Sequence, residues 1–339
     1  IEIYGSLESN HVLLNALLDM YVKCDSFFKA EQVFDRFLVR DVVSWNTMLK
    51  VYVQHGRSRN ALLLYRQMID VGVVPDKHTL VFVLQACGIL CQNQEQAIGE
   101  DLMVKKLALD IGKAFDAYIR GQNVSCDAFV GTALLSMYGK FGEINEAENV
   151  FFTLVERDIV AWNALLSVYI DELKAIKALT LYAHMHNKGV YGDQLTFLLA
   201  FQACGILAEG KEDILDSSGE STKEMCLEIG KALHDDAEIE GFTHNAFSGN
   251  TLVSMYSKCG AIVEASDAFS SLPERDAVSW NMMLSAFIEH GEGEKALMLY
   301  RQAHQEGIIP DQCMFISVIQ ACYILCDMGS TLVKVALEI

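Results

Sequence analysis

The thiols and imidazoles are the side chains here best suited to hold a metal or form a covalent intermediate. Cys87 and Cys91 stand four residues apart, as do Cys322 and Cys326, a separation that sets two thiols on one face of a helix where they would share a metal ion. The equivalent middle pair is Cys204 and Ala208, so the spacing is not kept, and no histidine joins it. Packing as small hydrophobes is the reading that suits these cysteines, and no metal is expected. His184 and His186 form an isolated His-x-His, which without further ligands reads as a solvated surface feature. His55 and His290 precede glycines at equivalent positions, with Glu172 in that place in the middle copy. These histidines suit the negative end of a helix. The chain has no Gly-x-Ser-x-Gly elbow, His-Glu-x-x-His pair or Gly-x4-Gly-Lys-Ser/Thr loop, and no zinc-deaminase signature. It is expected to recognise a ligand rather than to act as an enzyme, and to need no cofactor.

The 339 residues include 45 Asp and Glu against 26 Lys and Arg, a net charge of −19. A hydrophobic content of 52% with 21% charged residues excludes a disordered chain, which needs the opposite balance. The longest apolar stretch, at 79–91, is interrupted by Gln85 and falls short of the roughly 20 residues that span a bilayer, so no membrane partner is expected. Ten cysteines in a chain of this size do not make a disulfide scaffold, and a reducing compartment is the default. The chain opens at Ile1 without a basic or Arg/Ser-rich leader, so any targeting segment is expected to have been left out or removed. The acidic balance disfavours crude electrostatic attraction to nucleic acid. Residues 208–245 hold eleven acidic and three basic groups, however, so much of the excess lies in one segment.

The elements that carry these residues repeat. Trp45, Trp162 and Trp280 are 117 and 118 residues apart, within SWNTMLKVYV, AWNALLSVYI and SWNMMLSAFI. Each is followed by LQACGIL, FQACGIL or IQACYIL and preceded by NALLDMY, TALLSMY or NTLVSMY. Such self-similarity is the mark of a repeat architecture. The period divides into parts at 11–41, 128–158 and 246–276, then 42–76, 159–193 and 277–311, then 77–127 and 194–245, with 312–339 beginning a third long part. Within 42–76, Trp45, Met48, Leu49 and Tyr52 fall on one helical face, Gly56 stops that helix, and Ala61, Leu64, Tyr65 and Met68 form a second face. One such hairpin cannot bury its apolar side alone, so neighbours must stack. The expected fold is all-α: a right-handed superhelical α-solenoid of stacked helix-turn-helix repeats. Insertions are expected at about 91–106 and, acidic and read as a mobile surface loop, at about 208–224, carrying Glu209, Glu212, Asp213, Asp216, Glu220 and Glu224.

The strings at 41–76 and 127–158 resemble pentatricopeptide repeats of plant organellar proteins. The alternation of lengths is similar to the subclass built from S, P and L motifs, with 11–41, 128–158 and 246–276 as S-type, 42–76, 159–193 and 277–311 as P-type, and 77–127, 194–245 and the truncated 312–339 as L-type. The insertions depart from the family pattern, and a deaminase-like extension of the kind that often follows such arrays would lie beyond residue 339. The resemblance implies single-stranded RNA binding, one base per repeat, in organellar RNA editing, processing or stability, in a mitochondrion or chloroplast. It implies base reading by the fifth residue of each first helix and the last residue of each repeat: Asn15 with Asp41, Asn46 with Asp76, Thr132 with Asp158, Asn163 with Asp193, Asn250 with Asp276 and Asn281 with Asp311. The L-type fifth positions are Val81, Leu198 and Ile316, which offer no hydrogen bond. With Asn and Asp reading uracil and Thr and Asp reading guanine, the implied target is U-U-N-G-U-N-U-U. Second residues Val12, Val43, Phe129, Val160, Phe247 and Val278 would pack against the bases, and the L-type motifs are expected to dock editing factors or other proteins.

The residues alone also allow a plainer role. An Asn or Asp at a helix start is commonly a cap, although five Asn and one Thr recurring at one register form a periodic polar exception on apolar helices. The three tryptophans read as inter-helix core. Lys23, Lys50, Lys140 and Lys258 are expected near enough to the groove to offset phosphates. A protein-binding scaffold of the tetratricopeptide kind, without an RNA role, is the alternative that the acidic charge would suit, though the Trp-x2-Leu-Gly-x2-Tyr signature of that family is absent.

Overall fold

The structure is a computed structural model that describes residues 10–92, 100–121, 128–210, 222–242 and 246–327. The described residues form α-helices joined by turns. The hairpins are α1 (His11–Lys23) with α2 (Phe27–Arg36), α3 (Val42–Gln54) with α4 (Ser58–Asp70), α5 (Lys77–Gln92) with α6 (Glu100–Gly121), and α7 (Ala128–Lys140) with α8 (Ile144–Thr153). They continue as α9 (Ile159–Asp171) with α10 (Ala175–Asn187), α11 (Gln194–Ala208) with α12 (Thr222–Ile239), α13 (Ala246–Lys258) with α14 (Ile262–Ser270), and α15 (Ala277–Glu289) with α16 (Gly293–Gln305). Helix α17 (Gln312–Asp327) stands last. The chain is an all-α helical repeat protein.

The chain forms two compact units, residues 1–168 and 169–339, with the division inside α9. In the first, α1, α3, α5 and α7 lie side by side, and α2, α4, α6 and α8 each pack on their own hairpin partner. In the second, α11, α13, α15 and α17 form such a row, with α12, α14 and α16 packed on the hairpin partners that precede them. Each unit therefore has a layer of first helices and a layer of second helices. A residue that recurs at one register of the first helices recurs on one face of that layer.

The apolar periodicity explains the layers. Trp45, Met48, Leu49 and Tyr52 are all buried, as are Ala61, Leu64 and Met68 opposite them. Trp45 meets Phe34 edge to face with ring centroids 5.0 Å apart, and the same pair recurs as Phe151 with Trp162 at 4.9 Å and Phe269 with Trp280 at 5.0 Å. Such pairs add about 0.5–1.5 kcal/mol to the area they bury.

The expected insertions are partly helical. Cys91 and Gln92 still belong to α5, and α6 begins at Glu100, so 100–106 lengthen the second helix of that hairpin. In the later copy α11 runs through Ala208, and Thr222, Lys223 and Glu224 open α12. Residues 93–99 and 211–221, with Glu212, Asp213, Asp216 and Glu220, lie outside the described residues, as do 328–339 of the last part. Among the described residues, no helix is long and apolar enough to cross a membrane.

The turn inside the hairpins at 42–76, 159–193 and 277–311 needs a left-handed residue. Gly56 (φ 68°) and Gly291 (φ 72°) supply it, each leading into an amide that bonds back to the first helix, Arg57 to Tyr52 and Glu292 to Phe287, both at 2.8 Å. At the equivalent place in the middle copy stands Leu173 (φ 55°), 70% exposed, with Lys174 making the same bond to Tyr169 at 2.7 Å. A left-handed leucine is strained by roughly 1–2 kcal/mol because Cβ crowds its own carbonyl. Leu173→Gly is expected to raise stability by about 1 kcal/mol after the entropy that glycine costs, read as a higher urea midpoint. An unchanged or lower midpoint would show that the strain is not there.

Candidate nucleic-acid interface

Asp41, Asp76, Asp158, Asp193, Asp276 and Asp311 each stand between a second helix and the next first helix, and their first task is local. The Asp41 carboxylate accepts from the Ser44 amide at 2.9 Å, capping α3. Asp76, Asp158, Asp193, Asp276 and Asp311 cap in the same way, accepting from the amides of Thr79, Ala161, Thr196, Ser279 and Met314, each at 2.9 Å. The cap reading of these aspartates therefore holds, and it fixes each carboxylate at the head of a first helix.

The second task reaches back one repeat. Asn15 donates its amide to both Asp41 oxygens at 3.2 and 3.1 Å, Asn46 donates to Asp76 at 2.8 Å, and Asn281 donates to Asp311 at 2.7 Å. Asn250 also bonds Asp276. A carboxylate only accepts, so it must face the amide nitrogen, and the oxygen is turned the other way. The oxygens of Asn15, Asn250 and Asn281 are buried without a partner. A buried acceptor left unpaired costs about 1–3 kcal/mol, and its recurrence at one register in both units is unusual for a purely structural asparagine.

One of the expected pairs differs. Thr132 turns its hydroxyl back to the Ala128 carbonyl at 2.7 Å, and Asp158 caps α9 without bonding it. A threonine is one atom shorter than asparagine and satisfies itself within its own helix turn. Asn163 is 4% exposed, and Asp193 forms a capping box with Thr196.

The second residues are apolar and open. Val12, Val43, Phe129 and Val160 in the first unit are 45–66% exposed, and Phe247 and Val278 in the second are 65% and 55% exposed. Each lies three positions before its Asn or Thr, so the two share a helical face. In the L-type motifs Val81 and Leu198 are buried in the core, while Ile316 on α17 is half exposed. The core positions cannot touch a ligand.

The cations are less available than the spacing suggests. Lys23 pairs with Asp19 at 2.7 Å and Lys258 with Glu209 at 3.2 Å, while Lys50 is exposed. Lys140 lies across Gly88, where an added Cβ would come within 2.9 Å of its Cδ, and Lys258 lies across Gly205 in the same way. Cys91 donates to the Lys140 carbonyl at 2.8 Å, and Cys87 is fully buried with its thiol pushed up to about 12 by burial. His55 and His290 bond the carbonyls of Val51 and Ala286 at the ends of α3 and α15.

An arginine that carries no part in the expected site supports it. Arg40, Arg157 and Arg275 directly precede the S-type aspartates. Arg40 donates to the Phe34 and Asp35 carbonyls at 2.9 and 3.0 Å, closing the end of α2, and lies over the Phe34 ring at 4.5 Å. Arg157 does the same at Phe151 and Phe152, and Arg275 at Phe269 and Ser270. The Arg-Asp dipeptide at a spacing of 117 and 118 residues is the sequence signal for it.

Arg157→Met is expected to destabilise the first unit by about 1.5–3 kcal/mol, the loss of charge-assisted bonds to two carbonyls, read from urea denaturation. A change within error would mean the clamp is idle. The pH dependence follows from the aspartates. Burial pulls Asp41 and Asp76 upward, but the Ser44 amide with Asn15, and the Thr79 amide with Asn46, together carry both below the usual carboxylate range. The Ser279 amide lowers Asp276 and the Met314 amide lowers Asp311. A carboxylate lowered in the folded state contributes stability above its unfolded value, and that contribution disappears as pH falls through the folded value. Helicity is expected to be flat from about pH 7 to 5 and to fall below about pH 4. Asp276→Asn, which keeps the cap without the charge, should soften that acid transition, and an identical curve would count against the linkage.

The pattern of repeats is matched by two family models. One, described as "PPR repeat family", matches residues 40–88, and another, described as "PPR repeat", matches 12–42, 132–159, 160–190 and 278–308. A pentatricopeptide repeat-containing protein of Arabidopsis thaliana is 32% identical over 310 residues, 91% of this chain and 38% of the relative. A second from that plant, mitochondrial by name, is 33% identical over 305 residues, 90% of this chain and 43% of the relative. A third, chloroplastic by name, is 32% identical over 307 residues, 91% of this chain and 34% of the relative. The chain thus spans less than half the length of these relatives. Among solved structures, the pentatricopeptide repeat protein PPR10 from maize is 18% identical, with 98% of this chain and 59% of that one covered and a TM-score of 0.35. The same protein in complex with an 18-nt psaJ RNA element gives a TM-score of 0.39 at 18% identity, covering 97% and 58%. By the matches at 12–88, 132–190 and 278–308, this chain carries pentatricopeptide repeats.

Proposed function

We propose that the chain binds single-stranded RNA in a sequence-specific manner, one base per repeat, in organellar RNA editing, processing or stability. The observation that carries this reading is the set of buried amide oxygens of Asn15, Asn250 and Asn281, each without a partner and each with its nitrogen pinned to an aspartate. An amide held this way presents an acceptor and one remaining N–H, which complements the N3–H and carbonyl of a uracil edge. The exposed second residues give the base faces apolar surface to lie on. Thr132, smaller and bonded to its own helix, leaves room for a purine. With the family's reading of Asn/Asp and Thr/Asp pairs, the target is U-U-N-G-U-N-U-U, the unassigned bases standing opposite the L-type motifs.

Subclass S, P and L, with the motif bounds given above, belongs to the same proposal. So do a mitochondrial or chloroplast location, which the names of two relatives support, and the docking of editing factors through the L-type motifs. Any reaction performed on the RNA is assigned to parts of the assembly outside this chain.

Fluorescence anisotropy with U-U-N-G-U-N-U-U, and with the G replaced by U, tests the reading. The replacement is expected to weaken binding by about 5–100-fold, the cost of one unsatisfied polar group, and Thr132→Asn should reverse the preference. Equal affinity for both RNAs, unaltered in the variant, would sink base reading and favour a protein-binding scaffold. Affinity is expected to fall as salt rises, with a shallow slope because Lys23 and Lys258 are already paired.

A further inference from the structure

The rung formed by Asn46 and Asp76 differs from those of Asn15, Asn250 and Asn281, because its amide oxygen has a partner. Thr79, the third residue of the following L-type motif and fully buried, donates its hydroxyl to the Asn46 oxygen at 2.6 Å. The same hydroxyl lies 3.0 Å from Asp76 Oδ1 and accepts from the Asp76 amide at 3.2 Å. Having one proton, the hydroxyl gives it along the shorter path. Asp76 Oδ1 is already served by the Asn46 nitrogen at 2.8 Å and the Thr79 amide at 2.9 Å.

The other junctions show that this is a choice of residue and not of backbone. Ser44 holds the same place after Asn15 and Asp41, yet its hydroxyl goes to the Asp41 carbonyl at 2.8 Å and lies 3.0 Å from its carboxylate, leaving the Asn15 oxygen unpartnered. Ser279 bonds the Asp276 carboxylate at 2.9 Å, and Met314, after Asn281 and Asp311, has no hydroxyl to give. A β-branched threonine has few side-chain orientations, so its methyl and hydroxyl directions are set together. Thr196 holds the Thr79 position in the next copy and makes the same bonds to Asp193, at 3.1 Å from the Asp193 amide and 2.9 Å to its carboxylate.

We propose that Thr79 is a specificity-determining residue for the base read by Asn46, acting through the asparagine, and that it widens this rung from uracil to either pyrimidine. The inference rests on the RNA-reading proposal above. A hydroxyl bound at 2.6 Å takes one lone pair of the amide oxygen and weakens it as an acceptor. The group left to the base is an amide N–H. It can donate to a uracil carbonyl or to N3 of cytosine, whereas the unpartnered oxygen of Asn15 or Asn281 accepts from the uracil N3–H and meets only a lone pair at cytosine N3. The L-type motif, whose own fifth residue is core, thereby sets the tolerance of the repeat before it.

The test uses the 339-residue chain with U-U-N-G-U-N-U-U and with cytosine at nucleotide 2 or at nucleotide 8, opposite Asn46 and Asn281. In the wild type, cytosine at nucleotide 2 is expected to cost at most about twofold in Kd and at nucleotide 8 about tenfold, the scale of one lost or mismatched hydrogen bond. Thr79→Val, nearly isosteric, should raise the cost at nucleotide 2 to about tenfold while leaving nucleotide 8 unchanged, and Thr79→Ser, whose hydroxyl is expected to turn to the Asp76 carbonyl as that of Ser44 turns to Asp41, should raise it in the same way. An unchanged ratio in a Thr79→Val protein of native circular dichroism overturns the inference, as does an equal change at both nucleotides. Ser44→Thr provides the reciprocal test should Thr79→Val not fold, with cytosine tolerance expected to appear at nucleotide 1 and its failure to appear counting against the inference. No preference at any nucleotide in the wild type would instead overturn the RNA reading itself. Discrimination at nucleotides 4 and 8 with none of these Thr79 effects would overturn the Thr79 role alone.

Discussion

At Asp41, Asp76, Asp276 and Asp311 one carboxylate serves two helices at once. It accepts from the backbone amide three residues ahead and so starts the next first helix, and it also accepts from an asparagine amide on the previous first helix. Both donors want the same ionised, acceptor-only group, which is why asparagine at this place would be a poorer solution than aspartate. Because the carboxylate is held by the backbone of one repeat and the amide by the helix of another, the register between neighbouring first helices is tied to the geometry of the rung. Packing alone would tolerate more slip than that. A Trp–Phe contact lies on the apolar side of the same helices at Asp41 and Asp276, so these two junctions are fixed from two sides.

The consequence for recognition is that the amides are oriented before any ligand arrives. A free asparagine can present either end of its amide, and choosing one costs entropy when a base binds. Here the nitrogen is committed to the aspartate, so the oxygen faces away without that cost. The unpaired oxygens of Asn15, Asn250 and Asn281 are a standing penalty in the isolated protein, of the kind that is kept where a partner relieves it. Where a neighbouring threonine relieves it internally, as at Asn46, that incentive is smaller. The two situations differ by a single side chain in the next motif.

Charge has a smaller part in this picture. Two of the four lysines in reach of the first-helix ends are paired with carboxylates, and the arginines preceding the S-type aspartates spend their hydrogen bonds on helix carbonyls. The chain invests its cations in holding the scaffold, which matches an acidic protein whose selectivity would come from oriented amides and apolar platforms.

The sequence by itself determined the hairpins and their registers, because a period near 117 and the i, i+3, i+4, i+7 spacing of Trp45, Met48, Leu49 and Tyr52 are one-dimensional facts that helix geometry converts directly into faces. It also located the Asn and Asp positions, since a polar residue recurring on an apolar stripe is visible as a pattern. Whether an amide oxygen has a partner was decided only by tertiary structure. Ser44 and Thr79 both bring a hydroxyl to the same register, and which group that hydroxyl meets, a carbonyl or Asn46, depends on how serine and threonine orient it across two repeats. The same holds for Thr132, which turns into its own helix turn, and for Lys258, whose partner Glu209 stands 49 residues away in the chain. Contacts between residues far apart in sequence leave no periodic trace, so their partners become known only once the helices are side by side.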